Sequence, residues 1–307
     1  MSIWIDKYRP MKLDDVSGHQ DIINLFRNYV KTKTVPNIII HGEPGSGKTS
    51  SILALARELY GEEHFKTEVY ELNASDERGI DTVRNKIHNL AKKSVSSPVG
   101  FKLIILDEAD FLTKDAQAAL RKIMEKYSDK TIFCLLCNYI YKIIPPIQSR
   151  CAPFYFKPLT IEEIKKQLLK ISKTESINIE EKTIDFIIQK SSGDLRKAII
   201  LLQQSYFNEN IEDLIGIVDN NIYDKIFNIN NNKELYETID SIYKNGYNIS
   251  NIVKDLFHYT LGKDIDETNK QNIIQLITET DKSINQGCNE YLHFLNLCVS
   301  INKVINA

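Results

Sequence analysis

The chain has 307 residues, of which 42% are hydrophobic and 26% charged, the balance of an ordinary globular protein long enough for two or three domains. Its formal net charge is −2, so the overall composition gives no indication of nucleic-acid binding, and any such contact must come from a local basic patch. No apolar run approaches the length of a membrane span and the N-terminal residues lack a secretory pattern, so we expect an intracellular protein.

The N-terminal segment 4–10 mixes aromatic and cationic side chains and ends in Pro10. The ring of Tyr8 and the guanidinium of Arg9 are suited to stacking on a nucleobase. An N-terminal arm packed on the protein core explains the same residues, and the segment alone leaves both interpretations open. An amphipathic helix is predicted next, over residues 21–35.

Residues 38–50 begin as a short β-branched run and continue through a glycine-rich turn into an apolar helix. This context and spacing match the P-loop, whose glycines allow backbone N–H groups to surround a phosphate chain at a helix N-terminus. The pattern predicts that Lys48 reaches the β- and γ-phosphates and that Thr49 binds Mg²⁺. The predicted phosphate-binding residues are Gly42, Glu43, Pro44, Gly45, Ser46, Gly47, Lys48, Thr49 and Ser50.

A second diagnostic stretch follows a predicted strand at 69–72 and a predicted helix whose apolar positions include Val83 and Ile87. The apolar run that starts at residue 101 ends in two adjacent carboxylates, Asp107 and Glu108, which fits a Walker B motif. In that interpretation Asp107 orders the Mg²⁺ ion, and Glu108 polarises a water molecule for attack on the γ-phosphate.

A helix over 115–127, capped by Thr113, and a strand over 131–137 are predicted beyond this motif. Asn138 follows that strand, where it is placed to hold the attacking water, although a turn-forming asparagine explains it equally well. Cys134 and Cys137 lie within the same strand, where positions three apart point to opposite faces. We therefore interpret all five cysteines as reduced and structural, and we expect no zinc site.

Residues 143–151 form a proline-broken segment that contains Arg150, and only helices are predicted beyond residue 158, including 161–171 and 180–190. Residues 193–198 open a further helix. Arg196 in its first turn opposes the helix dipole, so it should have a partner such as phosphate. From about residue 208 the chain is rich in Asn, Ile, Lys and Tyr and keeps helical periodicity.

Taken in order, these motifs resemble the small subunits of replication factor C, the AAA+ sliding-clamp loaders. The segments that carry the resemblance are 4–10, the P-loop, 72–81, 107–110, 137–139, 149–151 and 193–196. The resemblance is dense over residues 1–205 and thinner beyond, where 283–287 is similar to the C-terminal helical segment of the family. Glu43 stands where a second proline is usual and Ser46 where threonine is usual, but neither side chain is needed for the backbone phosphate cradle.

The resemblance implies an α/β P-loop AAA+ domain with a parallel sheet over residues 1–157, an α-helical lid over 158–218 and an α-helical collar for oligomerisation over 219–307. It also implies an ATPase, weak as an isolated subunit, that uses ATP and Mg²⁺ to help open a ring-shaped DNA sliding clamp and load it on primer–template DNA during replication. The implied partners are other clamp-loader subunits, in a pentameric hetero-oligomer, the ring clamp and DNA, with no membrane. The chain length fits a small subunit, and the expected compartment is the nucleus in a eukaryote and otherwise the cytoplasm.

Residue roles implied by the resemblance complete the predicted nucleotide site. Asn138 is sensor 1, Arg196 is sensor 2 on the lid, and Arg150 is an arginine finger that enters the neighbouring subunit's site. Such a residue adds positive charge only when subunits are packed together. The residues implied to frame the adenine are Tyr8, Arg9, Pro10, Val16 and Gly18. The implied catalytic residues are Lys48, Asp107, Glu108, Asn138 and Arg150.

The resemblance also implies contacts with two macromolecules. Arg78, Arg84, Lys86 and Arg121 are expected to follow DNA phosphates, a contact that carries no base information and suits loading at any primer. A solvated charged face is the open alternative for these four residues. The end of the 115–127 helix, with Met124 and Tyr127, resembles the clamp-facing surface of the family, although Tyr127 also lies on the core stripe.

Two other functions remain open from the sequence. Another AAA+ motor, such as a branch-migration helicase, would track and unwind DNA, and a scaffold subunit would bind ATP without hydrolysing it. The intact residues Lys48, Asp107, Glu108 and Asn138 disfavour the scaffold.

Overall fold

Five parallel strands form one sheet in the computed structural model, which describes residues 3–75, 81, 83–177, 179–207, 220–228, 231–244 and 246–305. The strands are β1 (Ile38–Gly42), β2 (Val69–Asn73), β3 (Lys102–Asp107), β4 (Thr131–Cys137) and β5 (Ala152–Phe156). Their order across the sheet is β2-β3-β4-β1-β5. The predicted parallel sheet is confirmed, and its strands agree closely with those read from the sequence.

Both faces of this sheet are covered, which explains why its strands are continuous apolar runs. In β1, Ile38 and Ile40 belong to one hydrophobic core and Ile39 to the other. The same alternation puts Cys134 in the first core and Cys137 in the second. The prediction that these two cysteines point to opposite faces is confirmed, and burial raises the pKa of both thiols.

The chain divides into two compact units, Met1–Tyr206 and Phe207–Ala307. The helices of the first unit are α1 (Trp4–Lys7), α2 (Gln20–Thr32), α3 (Lys48–Glu68), α4 (His88–Lys92), α5 (Lys114–Lys126), α6 (Pro145–Gln148), α7 (Ile161–Thr174), α8 (Glu181–Ser191) and α9 (Leu195–Phe207, which runs one residue past the division). A π-helical turn, Val83–Ile87, precedes α4. This unit holds the predicted P-loop domain and most of the predicted lid.

Local sequence signals set where these helices begin and end. Thr113 caps α5 by accepting a hydrogen bond from the backbone of Ala116 at 3.2 Å, as predicted. Thr160 and Glu163 form a reciprocal capping box at the start of α7. The helix predicted over 21–35 ends earlier, at Thr32, because Lys33 takes a left-handed conformation.

The second unit is helical over its described residues. It contains α10 (Asn220–Asn228), α11 (Asn232–Lys244), α12 (Ile249–Gly262), α13 (Glu267–Asn285) and α14 (Glu290–Ile305). Their apolar faces meet in one core, to which Phe227, Leu256 and Phe294 contribute fully buried side chains. Within the described part of the chain, no helix combines the length and the apolar character that crossing a bilayer would require.

Candidate nucleotide-binding site

The predicted phosphate-binding turn and the predicted polar residues lie at one edge of the sheet. The turn 43–47 follows β1, Asp107 ends β3 and Asn138 follows β4. Because the carboxyl ends of parallel strands share an edge, groups far apart in sequence converge there. The tertiary structure therefore assembles one site from three segments of the chain.

The backbone of the turn depends on glycine. At Gly42, with φ of +148°, an added Cβ would lie 2.0 Å from the carbonyl oxygen of Phe156. Gly45 has φ of +73°, and its added Cβ would lie 1.8 Å from Oδ1 of Asp194. The buried hydroxyl of Ser46 donates to the carbonyl of Glu43 at 2.8 Å and fixes the turn from within.

Lys48 occupies the centre of the turn. Its Nζ donates to the carbonyls of Gly42 at 2.8 Å and Glu43 at 2.9 Å, and to Oδ1 of Asn138 at 2.9 Å. Burial lowers the pKa of Lys48, an effect that the nearby carboxylate of Asp107 opposes. The ammonium group is thus removed from bulk water at the place where a phosphate chain would be cradled, so its attraction for an anion is screened little.

The two predicted Mg²⁺ ligands meet directly. The hydroxyl of Thr49 donates to Oδ2 of Asp107 at 2.9 Å, and Oδ1 of Asp107 accepts from the backbone N–H of Glu108 at 2.8 Å. One hydroxyl and one carboxylate leave most of an octahedral shell to water and phosphate oxygens, which is the coordination that Mg²⁺ favours at nucleotide sites. The donor set therefore fits Mg²⁺.

Glu108 itself has a left-handed backbone, with φ of +53°. Such a conformation is unfavourable for a residue other than glycine, and strain of this kind concentrates at functional sites. Its half-buried side chain follows directly on Asp107, at the same edge of the sheet.

Part of the predicted lid lies against the turn. Asp194, just before α9, approaches Gly45 so closely that no side chain fits between them. Arg196 in the first turn of α9 is near enough for its charge to contribute to lowering the pKa of Lys48. A second cation therefore lies within electrostatic range of Lys48.

The residues implied to frame the adenine are divided between surface and core. Tyr8 is half-buried, and its hydroxyl donates to Glu175 at the end of α7, while Nζ of Lys7 lies 2.6 Å from the same carboxylate. Gly18 lies close to Leu159 and Glu163, so that its added Cβ would be 2.7 Å from Cδ2 of Leu159. Three other residues of the set take different environments: Arg9 and Pro10 are half-buried, and Val16 is buried in the first core.

Two family models match this chain. That of the ATPase family associated with various cellular activities (AAA) covers residues 38–159, and that of the replication factor C C-terminal domain covers residues 218–300. The replication factor C small subunit of Methanococcus vannielii is 43% identical, with 94% of each chain covered. Replication factor C subunit 2 of Saccharomyces cerevisiae is 38% identical, covering 98% of this chain and 93% of that protein. Human replication factor C subunit 4 is 37% identical, covering 97% of this chain and 87% of that protein.

The chain belongs to the replication factor C family of AAA+ clamp loaders. The family assignment made from the sequence motifs is confirmed, together with the AAA+ fold. The RuvB Holliday junction branch migration motor of Thermotoga maritima has a similar structure, with a TM-score of 0.57, 17% identity and coverage of 72% of this chain and 80% of that one. At that identity the likeness concerns the fold alone.

Arg150, the finger expected in this replication factor C chain, has partners away from the phosphate-binding turn. Its NH1 donates to the carbonyl of Pro146 at 2.7 Å, and its NH2 lies 2.7 Å from Oε1 of Glu125. The same carboxylate oxygen accepts from Nε of Arg121 at 3.0 Å. The structure therefore brings Arg121 and Arg150 together around Glu125, which the sequence did not predict.

The other residues implied to contact DNA or the clamp give a mixed result. Arg78 lies outside the described residues, and so does the side chain of Arg84, while Lys86 is exposed. Met124 is 2% exposed and packs in the second core, so the expectation that it forms a clamp-facing surface is wrong in this structure. Tyr127 is half-buried against the same core. The apolar stripe of α5 was the signal that favoured packing.

Two residues that the sequence analysis did not select support the site. His19 Nε2 lies 3.1 Å from the carbonyl oxygen of Ser46, and its ring packs on Phe156 with centroids 4.3 Å apart. Asp110 is buried, and its Oδ2 accepts from the backbone N–H of Tyr139 at 3.4 Å, next to Asn138. Asp110 follows Glu108 closely in sequence, which was an available signal, whereas His19 had none.

Proposed function

We propose that the chain binds ATP with Mg²⁺ at this site, hydrolyses it within a multi-subunit assembly, and thereby helps to open a ring-shaped sliding clamp and load it on primer–template DNA. The observation that carries the proposal is a pair of hydrogen bonds, Lys48 to Asn138 and Thr49 to Asp107. They join the phosphate-binding turn to the ends of β3 and β4, as ATP hydrolysis requires. The names of the relatives, all replication factor C subunits, support the assembly and the role in replication.

Each residue has a task in phosphoryl transfer. The turn 43–47 offers backbone N–H groups to the phosphate chain, and Lys48 contributes positive charge beside them. Thr49 and Asp107 would hold Mg²⁺, which neutralises charge on the phosphate oxygens when it is bound. Glu108 accepts a proton from the attacking water, and Asn138 orients that water.

Two arginines would add positive charge that neutralises the phosphates during hydrolysis. Arg196 lies in the first turn of α9 of the same subunit, near enough to Lys48 for its charge to contribute to lowering the pKa of that residue. Arg150 acts on the nucleotide of a neighbouring subunit, which is consistent with its contacts to Pro146 and Glu125 rather than to its own turn. Hydrolysis then depends on assembly, because the transition-state charge is neutralised only when a neighbour supplies its guanidinium.

The adenine lies, in this proposal, against the segment formed by Tyr8, Arg9 and Pro10, with Val16 and Gly18 next to it. The bond from Tyr8 to Glu175 connects this segment to the helix α7 and holds the ring in place. The proposal also includes the division of the chain into three domains, 1–157, 158–218 and 219–307. In this proposal the protein works inside the cell and acts on DNA.

DNA contact is proposed for Arg78, Arg84, Lys86 and Arg121. Phosphate contacts make binding steeply dependent on salt, with a slope that falls by about one for each cation removed. In the assembly, Arg84→Ala should lower the slope of log affinity against log salt, and unchanged binding by an Arg78→Ala/Arg84→Ala double variant would remove this assignment.

The decisive experiment measures ATPase activity of the co-purified assembly, with and without a ring clamp and primed DNA. We expect the clamp and DNA to stimulate turnover, and Glu108→Gln to lower kcat by about 10²-fold or more while ATP binding persists. Glu181→Gln is a matched control, since Glu181 is an exposed carboxylate on α8 that pairs with Lys165. Unaltered turnover in Glu108→Gln would favour a scaffold, and strand displacement without clamp loading would favour a branch-migration motor.

A further inference from the structure

The carboxylate of Glu125 joins two arginines that come from different elements of the first unit. Glu125 lies in the last turn of α5, and its Oε1 accepts from Nε of Arg121 one turn earlier on the same helix. The same oxygen lies 2.7 Å from NH2 of Arg150, which follows α6. All three side chains are about two-fifths exposed.

Helix α5 also fixes the segment that leads to Arg150. The buried amide of Gln117 donates to the carbonyls of Leu112 and Lys142, each at 3.1 Å, and accepts from the backbone N–H of Ile144 at 2.8 Å. Gln117 therefore hydrogen-bonds the backbone before α6 to α5, and Glu125 pairs the guanidinium of Arg150 with the last turn of the same helix. One helix thus sets both the main chain and the side chain of this region.

A free arginine side chain has many rotamers, and rate depends strongly on holding a catalytic group close to its productive position. Without Glu125, Arg150 would keep the bond from NH1 to Pro146 but would lose its charged partner on NH2. The remaining contacts, to Pro146 and at 3.4 Å to Oγ of Ser149, both involve NH1 and so hold only one end of the guanidinium fork. Glu125 therefore restricts the orientation of Arg150.

The presence of Arg121 has an electrostatic consequence. A carboxylate paired with Arg150 alone would cancel much of the positive charge that a phosphate should meet. Two guanidinium groups around one carboxylate leave the cluster with a net charge of +1. The arrangement can thus orient Arg150 and still present positive potential to an anion.

We propose that Glu125 is a positioning residue for Arg150 in hydrolysis at the neighbouring subunit's site. Glu125 acts through Arg150 and does not touch the nucleotide, and Arg121 holds the carboxylate in place. This inference rests on the proposed function, because it requires Arg150 to act on ATP.

The test is a double-mutant cycle on the co-purified assembly, with ATP as the substrate. Glu125→Gln keeps the size of the side chain and removes its charge, and we expect kcat to fall about two- to five-fold with KM for ATP within about twofold of the parent. Arg150→Ala should lower kcat further, and the Glu125→Gln/Arg150→Ala double variant should equal Arg150→Ala alone. Glu181→Gln, which breaks an exposed ion pair at 2.8 Å to Lys165 on the lid, should leave kcat unchanged.

The outcomes separate the two proposals. If Arg150→Ala lowers kcat but Glu125→Gln does not, or if the two effects multiply, the role of Glu125 is refuted and the proposed function stands. If Arg150→Ala itself leaves kcat unchanged, the assignment of Arg150 fails and the role of Glu125 fails with it. A fall in kcat that accompanies loss of assembly, measured by sedimentation, would assign Glu125 to an interface and would overturn the proposal.

Discussion

Replacing Gly45 by alanine tests the close approach between the turn 43–47 and Asp194 at the start of α9. Gly45 has φ of +73°, and the new Cβ would lie 1.8 Å from Oδ1 of Asp194 and 2.3 Å from its Cγ. Asp194 can turn away only by giving up the hydrogen bond that its Oδ1 accepts from the backbone N–H of Lys197 at 3.1 Å. The substitution therefore strains the turn and disturbs the start of α9.

The expected cost has two parts. The left-handed backbone costs alanine about 1 kcal/mol relative to glycine. Loss of the cap by Asp194 adds about 1 kcal/mol. Gly47→Ala is the matched control, because Gly47 has φ of +95° in the same turn but its added Cβ would meet only Oγ of Ser51, at 3.9 Å. We expect Gly45→Ala to lower the free energy of unfolding by about 2 kcal/mol and Gly47→Ala by about 1 kcal/mol.

Urea unfolding followed by tryptophan fluorescence measures this difference, since Trp4 is the only tryptophan and lies buried in the first unit. In an Asp194→Ala background the clash is gone, so Gly45→Ala should cost about 1 kcal/mol, the same as Gly47→Ala. Equal costs of the two glycine substitutions in both backgrounds would refute the contact between the turn and Asp194.

Two further predictions concern buried charge and pH. Lys102 is fully buried, and its ammonium donates to the carbonyls of Leu90, Ala91 and Lys93 at the end of α4. Lys102→Met should lower the free energy of unfolding by about 2 kcal/mol, because these carbonyls lose their donor. Urea unfolding measures this change, and an unchanged or higher stability would contradict the prediction. Burial lowers the pKa of His19 from its ordinary value of 6.5, so the unfolded chain binds the proton first as pH falls, and stability should decrease between pH ~7.5 and ~5.5. His19→Gln should weaken that decrease without abolishing it, since burial also lowers the pKa of His41, and an unchanged pH dependence would count against this role of His19.

The strands and the phosphate-binding turn could be predicted because their signals are local. A β-branched run such as Ile38–Ile40 indicates a buried strand, and glycines at Gly42, Gly45 and Gly47 indicate a turn with positive φ. Apolar periodicity likewise located α5, and the threonine before it predicted the cap at Thr113. These signals depend only on neighbours in sequence, so they can be recognised before the packing is known.

Errors arose where one residue type serves two purposes. Met124 was expected at a partner surface, yet it is buried in the second core, since an apolar side chain on an amphipathic helix satisfies either environment. The helix predicted over 21–35 runs beyond its real end at Thr32, and Val35, inside the predicted range, belongs to the core that surrounds β1.

The sequence by itself determined the family, the order of the motifs and the side chains of the proposed nucleotide site, because a glycine-rich turn and carboxylates at strand ends are encoded in short segments. Only the tertiary structure decided which groups distant in sequence come into contact. Asp194 approaches Gly45, His19 lies against the carbonyl of Ser46, and one carboxylate oxygen of Glu125 lies between Arg121 and Arg150. Such pairings depend on the register of the sheet and on how helices pack on its faces, and residues as far apart in sequence as Gly45 and Asp194 meet only once that packing is complete.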